Sequence, residues 1–184
     1  MLLFQDTEQS FREFIKEHQK MVYNTALHLL QNEEDAEEIT QDVFVEVHHK
    51  AHTFKGESKV STWLYRITYH KCIDFLRKKK SKKRFAFLTS LFHESGELVS
   101  DAGDFVHPGV VAENKEKAAI LYKAINSLPE TQRITFLLSE TDGLSYQEIS
   151  DIIGTSVSSV ESLLFRARKN LRKILADFYK NYNG

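Results

Sequence analysis

Apolar residues recur at the spacing of helical turns along most of this chain. The first stripe advances by three, four or seven residues and consists of Phe11, Phe14, Ile15, Met21, Val22, Ala26 and Leu29. Two further stripes follow, Ala36, Ile39, Val43 and Val47, and then Leu64, Thr68, Cys72, Phe75 and Leu76. No convincing strand-like alternation accompanies them, so the pattern predicts an all-α fold.

Residues that favour helix ends divide this pattern into separate helices. Asn32 is a suitable N-cap for the second helix, and Pro129 suits the first position of a later one. Ser145 and Glu148 have the spacing of a capping box. Gly154 ends the helix that this box begins, and a long last helix follows.

Residues 85–112 interrupt the helical pattern. The segment contains three glycines and Pro108 among scattered carboxylates. A loop of this length inside one compact domain would be unusual. We therefore predict a flexible linker between two small helical domains, residues 1–84 and 113–184. Its first residues, FAFLTSLF, either form a short helix or dock on a partner.

The charge of the chain is balanced in total but segregated along the sequence. Its 184 residues include 25 Lys and Arg against 26 Asp and Glu, a formal net charge of −1. Seven of the fourteen residues in Glu33–Glu46 are acidic, and seven of the eight in Arg77–Arg84 are basic. Only this distribution, and not the total, points to nucleic acid.

Several classes of protein are excluded or disfavoured by composition. Cys72 is the single cysteine, so no internal disulfide forms, and its apolar face predicts a buried structural thiol. The N-terminus lacks a signal-peptide pattern, and no run approaches the roughly 20 apolar residues of a membrane span. Three neighbouring histidines, His48, His49 and His52, lack further ligands at metal-site spacing. We predict a soluble cytoplasmic protein that is not an enzyme and has no cofactor, metal or small-molecule substrate.

The segment LSYQEISDIIGTSVSSVESLLFRARKNLRKIL has the pattern of a helix-turn-helix. One face of its second helix is apolar, and the other carries Ser158, Glu161, Ser162, Phe165, Arg166 and Lys169. Small polar residues near the start can approach base edges, while Arg166, Arg168 and Lys169 can reach phosphates or guanine. Glu161 repels phosphate but can accept from a cytosine amino group. The alternative is an ordinary helical hairpin with a solvated basic face.

Two polar faces in the first domain also allow two interpretations each. The second helix groups Asp35, Glu38, Asp42, Glu46 and His49, either as a solvated face or as a dock for a protein. The third helix groups Trp63, Arg66, His70, Asp74 and Arg77. Trp63 either stacks on an unpaired base or covers the edge of the core.

Together these residues resemble the extracytoplasmic-function (ECF) group of bacterial sigma factors. DAEEITQDVF is similar to region 2.2 of that family, and STWLYRITYHKCIDFLRKK to regions 2.3 and 2.4. LPETQRITFLLSETDGLSYQEISDIIGTSVSSVESLLFRARKNLRK resembles region 4. Two blocks in the expected order and at the expected separation make the resemblance specific.

The resemblance implies a partner for each surface. Core RNA polymerase would dock its β′ clamp helices on Asp35, Glu38, Gln41 and Asp42, with its β flap as a further contact. The minus-ten element, as single strand, would meet Phe54, Lys55, Lys59, Ser61, Trp63, Arg66, His70, Asp74 and Arg77. The minus-thirty-five element, as duplex, would meet Ser158, Ser159, Glu161, Ser162, Phe165, Arg166 and Lys169. Such a protein directs polymerase to promoter DNA and promotes its melting, and an anti-sigma factor is a further implied partner.

The chain departs from the family pattern at both DNA-facing helices. Tyr69 and His70 stand where Arg-Asn is common, and Glu161 and Leu163 replace basic residues. These changes bear on promoter preference. The competing interpretations are a free-standing helix-turn-helix regulator and an adaptor that binds protein without any role at DNA.

Overall fold

The structure is a computed structural model that describes residues 8–92 and 115–182, with side chains described for 8–82 and 117–176. All regular structure in these ranges is helical, which confirms the all-α prediction. The elements are α1 Glu8–Leu30, α2 Glu33–Lys50, a 3₁₀ turn Ala51–Thr53, α3 Val60–Phe92, α4 Lys115–Asn126, α5 Glu130–Glu140, α6 Tyr146–Ile153 and α7 Val157–Tyr182.

Helices α1, α2 and α3 form a first bundle around the predicted apolar stripes. Its fully buried centre includes Val22, Leu27, Val43, Val47 and Leu64. The side chain of Asn32 accepts a hydrogen bond from the backbone N–H of Asp35 at 2.8 Å, which confirms the predicted cap of α2. Gln31 closes the turn before it with a φ of 53°, a left-handed conformation that is uncommon outside glycine.

Helices α4 to α7 form a second bundle that contains the predicted helix-turn-helix. Its core includes Leu137, Leu138, Ile149, Ile152, Val160 and Leu164. The capping box is confirmed, since Ser145 accepts from the backbone of Glu148 at 3.3 Å and Glu148 accepts from the backbone of Ser145 at 3.0 Å. Gly154 ends α6 with a φ of 70°, which favours glycine. Pro129 precedes α5 as its N-cap, one position earlier than predicted.

The two bundles touch along a surface that we call the bundle junction, where α1 meets α5 and α3 meets α6. His28 Nδ1 lies 3.1 Å from Asp142 Oδ1, and both side chains are less than 10% exposed. Lys59 Nζ donates to Glu148 Oε1 at 3.1 Å on the more exposed side of the contact. Polar pairs therefore contribute to the junction, whereas the centre of either bundle is apolar.

Three polar atoms at the bundle junction are buried without a hydrogen-bond partner among the described residues. They are Gln31 Nε2, Arg133 Nε and Asp142 Oδ2. Burial also lowers the pKa of Arg133, because a guanidinium is less stable away from water. Each unpaired buried group opposes closure by about 1–3 kcal/mol.

The predicted linker, residues 85–112, lies largely outside the described residues. Its first eight residues continue α3 as a helix to Phe92, past the predicted boundary at residue 84. The boundaries of the two domains therefore stay a prediction.

Candidate polymerase-docking and nucleic-acid interfaces

The predicted polymerase-docking residues lie on one side of α2, and three of the four face solvent. Glu38, Gln41 and Asp42 are exposed. Asp35 is half-buried, and its Oδ2 accepts a hydrogen bond from Lys79 Nζ on α3 at 2.8 Å. Asp35 is thus already occupied within the molecule, whereas the other three are available to a partner.

Val45 was not predicted from the sequence as part of this surface. Its side chain is 58% exposed and lies one turn beyond Gln41 and Asp42 on the same side of α2. An apolar centre within a polar rim is the usual composition of a protein–protein contact. The sequence feature that could have revealed Val45 is that this apolar residue lies off the stripe formed by Ile39, Val43 and Val47.

Glu46 is the second carboxylate of α2, after Asp35, that forms an ion pair with a lysine of α3. Its carboxylate accepts from Lys50 at 2.6 Å and from Lys71 of α3 at 2.9 Å. Partial burial raises the pKa of Glu46, but the two lysines outweigh that effect and hold the pKa below its ordinary value. The carboxylate is therefore fully ionised at neutral pH and fixed between the two helices.

A groove of about 490 Å³ runs between α2 and α3. Asp35, Glu38 and Asp42 line its α2 side, while His70 and Asp74 line its α3 side. Three lysines complete the α3 side near its end, Lys78, Lys79 and Lys82. Two surfaces that the sequence suggested as separate, one for protein and one for nucleic acid, therefore meet in one groove.

The loop before α3 and the first turns of that helix place two aromatic rings together. The centroids of Phe54 and Trp63 lie 5.5 Å apart, with their planes tilted by 59°. Both residues are half-buried, and Trp63 packs against the core. Gly56 has a φ of 75°, which the turn of this loop requires. Trp63 thus covers the core edge and still presents part of its ring to solvent.

The remaining residues predicted for the minus-ten element differ in their surroundings. Those that are exposed are Lys55, Lys59, Arg66, His70, Asp74 and Arg77, whereas Ser61 is half-buried. Lys59 pairs with Glu148 across the bundle junction, and Arg77 lies 3.7 Å from Asp74. Two of the predicted cations therefore already have a carboxylate within the molecule.

Residues between these exposed positions point inward. Cys72 is buried, and burial raises the pKa of its thiol to about 12. The thiol is therefore unreactive at neutral pH, which fits the predicted structural role. Burial also raises the pKa of Tyr69, whose ring centroid lies 5.1 Å from that of His70.

The outer face of α7 carries the residues predicted to read the minus-thirty-five element. Ser158, Glu161, Ser162, Phe165, Arg166 and Lys169 are all exposed. Ser159 is half-buried, and its backbone N–H donates to Ser156 Oγ at 3.2 Å at the start of the helix. The ring of Phe165 is 69% exposed.

Arg168, which the sequence offered as a phosphate contact, is tied to a neighbouring helix. Its Nη2 donates to Glu140 Oε1 at 2.6 Å, and this bond raises the pKa of Arg168. It therefore braces α7 against α5, and Arg166 and Lys169 remain as the free cations of the outer face among the described residues.

Metal sites and membrane spans are not found within residues 8–92 and 115–182. No three His, Cys, Asp or Glu side chains described there are grouped to hold a metal ion. None of the described helices is long and apolar enough to cross a membrane.

Two family models match the chain, one over each bundle. Sigma-70 region 2 matches residues 14–82, and Sigma-70 region 4 matches residues 118–171. The chain is also 30% identical over 135 residues to the ECF RNA polymerase sigma-E factor of Escherichia coli K12, covering 73% of this chain and 71% of that relative. The chain belongs to the ECF sigma factors. The first bundle is thus region 2 of this sigma factor, and the second is region 4.

Further relatives agree with this assignment. The ECF sigma factor SigE of Mycolicibacterium smegmatis is 31% identical over 172 residues, covering 91% of this chain and 62% of that protein. Bartonella quintana RpoE, solved with the anti-sigma factor NepR, has a TM-score of 0.71 at 20% identity and covers 91% of this sigma factor and 98% of RpoE. CnrH, solved with the cytosolic domain of CnrY, has a TM-score of 0.66 at 20% identity. The match covers 94% of this sigma factor and 91% of CnrH. The two solved structures share the fold.

Region 2 and region 4 in one chain decide between the functional alternatives. A free-standing helix-turn-helix regulator has no need of region 2, and an adaptor without a role at DNA has no need of region 4. Both interpretations are therefore rejected in favour of the sigma factor.

Proposed function

We propose that this sigma factor docks on core RNA polymerase through α2 and directs it to promoters. The single observation that carries the proposal is the exposed face of α2, where Glu38, Gln41 and Asp42 surround Val45. Carboxylates at the rim steer and orient a basic partner, and the apolar centre supplies contact area. The β′ clamp helices are the proposed partner of this face, and the β flap that of region 4.

The second part of the proposal concerns melted DNA at the minus-ten element. Phe54 and Trp63 offer rings against which an unpaired base can stack, for about 1–3 kcal/mol per base. Lys55 and Arg66 lie exposed nearby in sequence and attract the phosphate backbone. Binding the unstacked base shifts the equilibrium between duplex and bubble toward the bubble. The sigma factor contributes no catalytic group to this step, since polymerase carries out the chemistry.

The third part concerns duplex DNA upstream, which α7 enters through the major groove. Ser158 and Ser162 are small enough for close approach, while Arg166 and Lys169 flank them. This contact sets the register of the polymerase relative to the start site. The place of action is the cytoplasm, where core polymerase works.

Binding both elements at once requires the bundle junction to open. The names minus-ten and minus-thirty-five imply a separation of about 25 base pairs, or about 85 Å at 3.4 Å per pair. In the closed arrangement Lys59 of the minus-ten loop instead contacts Glu148 of the helix-turn-helix. We therefore propose that the closed form is the free protein and that polymerase holds the separated form.

An anti-sigma factor is the remaining proposed partner. Among the structural relatives, RpoE was solved with the anti-sigma factor NepR, and CnrH with the cytosolic domain of CnrY. The groove between α2 and α3 offers both carboxylates and lysines to a second chain, and an occupant there would block α2 from polymerase.

Transcription with purified core polymerase tests the proposal directly. Sheared genomic DNA of the source bacterium would be transcribed with and without the sigma factor, and the 5′ ends of the transcripts would be mapped. We expect a small set of new start sites that require the protein, and weak DNA binding in the absence of polymerase. No new start sites, or tight sequence-specific duplex binding by the protein alone, would contradict it.

A Val45→Ser variant tests the apolar centre of the docking face. We expect weaker co-elution with core polymerase and unchanged folding, because the side chain is exposed. Glu17→Ser, at an exposed position of α1 in the same bundle, is the control.

A further inference from the structure

The outer face of α7 presents an unusual pair of side chains one turn apart. Phe165 is the most exposed of the three large exposed hydrophobic residues in the described part of the chain, at 69% against 58% for Val45 and 42% for Leu121. Glu161 is exposed four residues before it. No described residue donates a hydrogen bond to the Glu161 carboxylate or forms an ion pair with it.

The position of this pair along α7 fits the major groove. From Ser158 to Phe165 the helix rises about 10.5 Å at 1.5 Å per residue, close to the groove width of about 12 Å. Arg166 and Lys169 follow at the far edge, where phosphates line the groove. Residues near the start of a recognition helix contact base edges, so in the proposed docking Glu161 and Phe165 face the bases.

The chemistry of the two side chains selects particular bases. A carboxylate accepts hydrogen bonds only, and cytosine is the base that offers an isolated amino donor in the major groove. A phenyl ring has no hydrogen-bonding group, and it gains most from the C5-methyl of thymine. Neither side chain favours guanine, which presents acceptors.

We propose that Glu161 and Phe165 are the specificity-determining pair of α7, reading the amino group of a cytosine and the methyl group of a thymine. The proposal rests on the proposed function, in which α7 enters the major groove of the upstream element. Because side chains four residues apart are about 5–6 Å from each other, the two bases lie within about two base pairs of each other at 3.4 Å per step.

A protein surface is the competing occupant for Phe165, since an exposed ring can also dock on polymerase. The surroundings favour DNA, because Ser158, Ser162, Arg166 and Lys169 are exposed on the same face of α7, and all are groups that approach base edges and phosphates. Transcription from a library of promoters separates the two occupants.

The test is transcription of a promoter library by core polymerase with the full-length sigma factor. The upstream element is randomised, and transcribed templates are sequenced. We expect enrichment of a cytosine and a thymine within two positions of each other. With Glu161→Gln the cytosine preference moves to adenine, which glutamine binds through two hydrogen bonds. With Phe165→Ala the thymine preference is lost while the cytosine preference remains.

A chemical change in the DNA isolates the methyl contact. Replacing the selected thymine with deoxyuridine removes only the C5-methyl. We expect a loss of about fourfold in transcription with the original protein, the value of one buried methyl-sized group, and no loss with Phe165→Ala. Glu17→Gln and Lys20→Ala, at exposed positions of α1, serve as controls and retain the original base preferences.

Three outcomes would overturn the proposal, and they are distinguishable from one another. An enriched motif that neither variant changes, with no deoxyuridine effect, rejects this pair but leaves region 4 as the upstream reader. Equal loss of transcription from every template with Phe165→Ala assigns the ring to polymerase. No enrichment at any upstream position refutes upstream reading itself, and with it the proposed function of α7.

Discussion

The groove between α2 and α3 and the outer face of α7 are both charged surfaces, yet they differ in how their charges are satisfied. In the groove, Asp35 is paired with Lys79, and Glu46 with Lys50 and Lys71. Glu161, Arg166 and Lys169 have no ion-pair partner among the described residues. We therefore expect Asp35 to exchange its partner when region 2 binds polymerase, whereas the outer face of α7 presents charges without internal partners.

This difference has an energetic meaning. Exposed ion pairs contribute about 0–1 kcal/mol, and the pairs of Asp35 with Lys79 and of Glu46 with Lys71 are half-buried, so exchanging them costs at least as much. The same exchange reduces the net free energy of any new ion pair, since an existing pair must first break. Substitutions in the groove should therefore have effects of either sign, while loss of a cation on α7, Arg166 or Lys169, should weaken DNA binding.

The largest expected effect comes from a carboxylate of α2 that has no internal partner. Asp42→Arg places a cation against the surface that the carboxylate is proposed to contact, and we expect polymerase affinity to fall on the order of a hundredfold. Co-elution with core polymerase measures it, with Glu17→Arg on α1 as the control. Normal co-elution of the Asp42 variant would reject α2 as the dock.

Trp63→Ala should reduce open-complex formation by an amount equivalent to about 1–3 kcal/mol of base stacking. Permanganate footprinting of unpaired thymines measures the bubble, and co-elution measures polymerase binding, which we expect to be retained. Because Trp63 also covers the core, the variant should unfold at a lower temperature as well. Trp63→Phe keeps a ring and should restore most of the bubble. An unchanged bubble in the alanine variant counts against stacking.

Arg166→Ala should weaken upstream binding and lower its dependence on salt. Each phosphate contact that is removed reduces the slope of log affinity against log salt by about one. Transcription from a promoter with the upstream element, measured across a salt series, gives this slope. Arg168→Ala is the matched control, since Arg168 is held by Glu140 and should leave the slope unchanged. Equal slopes for all three proteins would show that Arg166 touches no phosphate.

Lys79→Ala sharpens the comparison, because it removes the partner of Asp35 without changing α2. We expect a gain of about 1 kcal/mol in polymerase binding, since the Asp35 carboxylate is released from its half-buried pair with Lys79. Lys78→Ala removes the same charge from the same groove but leaves Asp35 paired, so it should give a smaller change. If both variants weaken polymerase binding equally, the lysines themselves contact polymerase.

The smallest expected effect concerns Glu148, which belongs to both the capping box and the bundle junction. Hydrogen bonds from Ser145, and then the one from Lys59, hold the pKa of Glu148 below its ordinary value of 4.5. A lowered pKa in the folded state gives stability that is present above pH 4.5 and is lost as the pH falls through the folded pKa. Against Glu148→Gln, the stability advantage of the original protein should vanish on acidification. An advantage that persists at pH 2 would contradict this.

Features that depend on neighbours in sequence were the ones that the sequence predicted well. The stripes of α1, α2 and α3, the Asn32 cap and the Ser145–Glu148 capping box are all decided within a turn or two of helix. The outer face of α7 was predicted for the same reason. Pro129 was misplaced by one position, because a proline suits both the N-cap and the first turn.

Features that depend on distant residues were not predicted. Lys79 reaches Asp35 across 44 positions, and Lys59 reaches Glu148 across 89, so no local pattern reveals either pair. The exposure of Val45 was missed because an apolar residue beside a buried stripe is ordinarily half-buried at the edge of the core. The same long-range packing decides that Arg168 braces α7 and that Arg166 does not.

The unpaired polar atoms at the bundle junction bear on how quickly the sigma factor can be recruited. Opening the junction lets Gln31 Nε2, Arg133 Nε and Asp142 Oδ2 hydrogen-bond to water, which offsets part of the free energy needed to separate the bundles. We therefore expect opening to be a sub-global event that precedes unfolding of either bundle. Backbone amides at the junction should exchange with solvent faster than those beside Leu137 or Val43. We expect polymerase to capture this open state, so that its population in the free protein limits the rate of holoenzyme assembly.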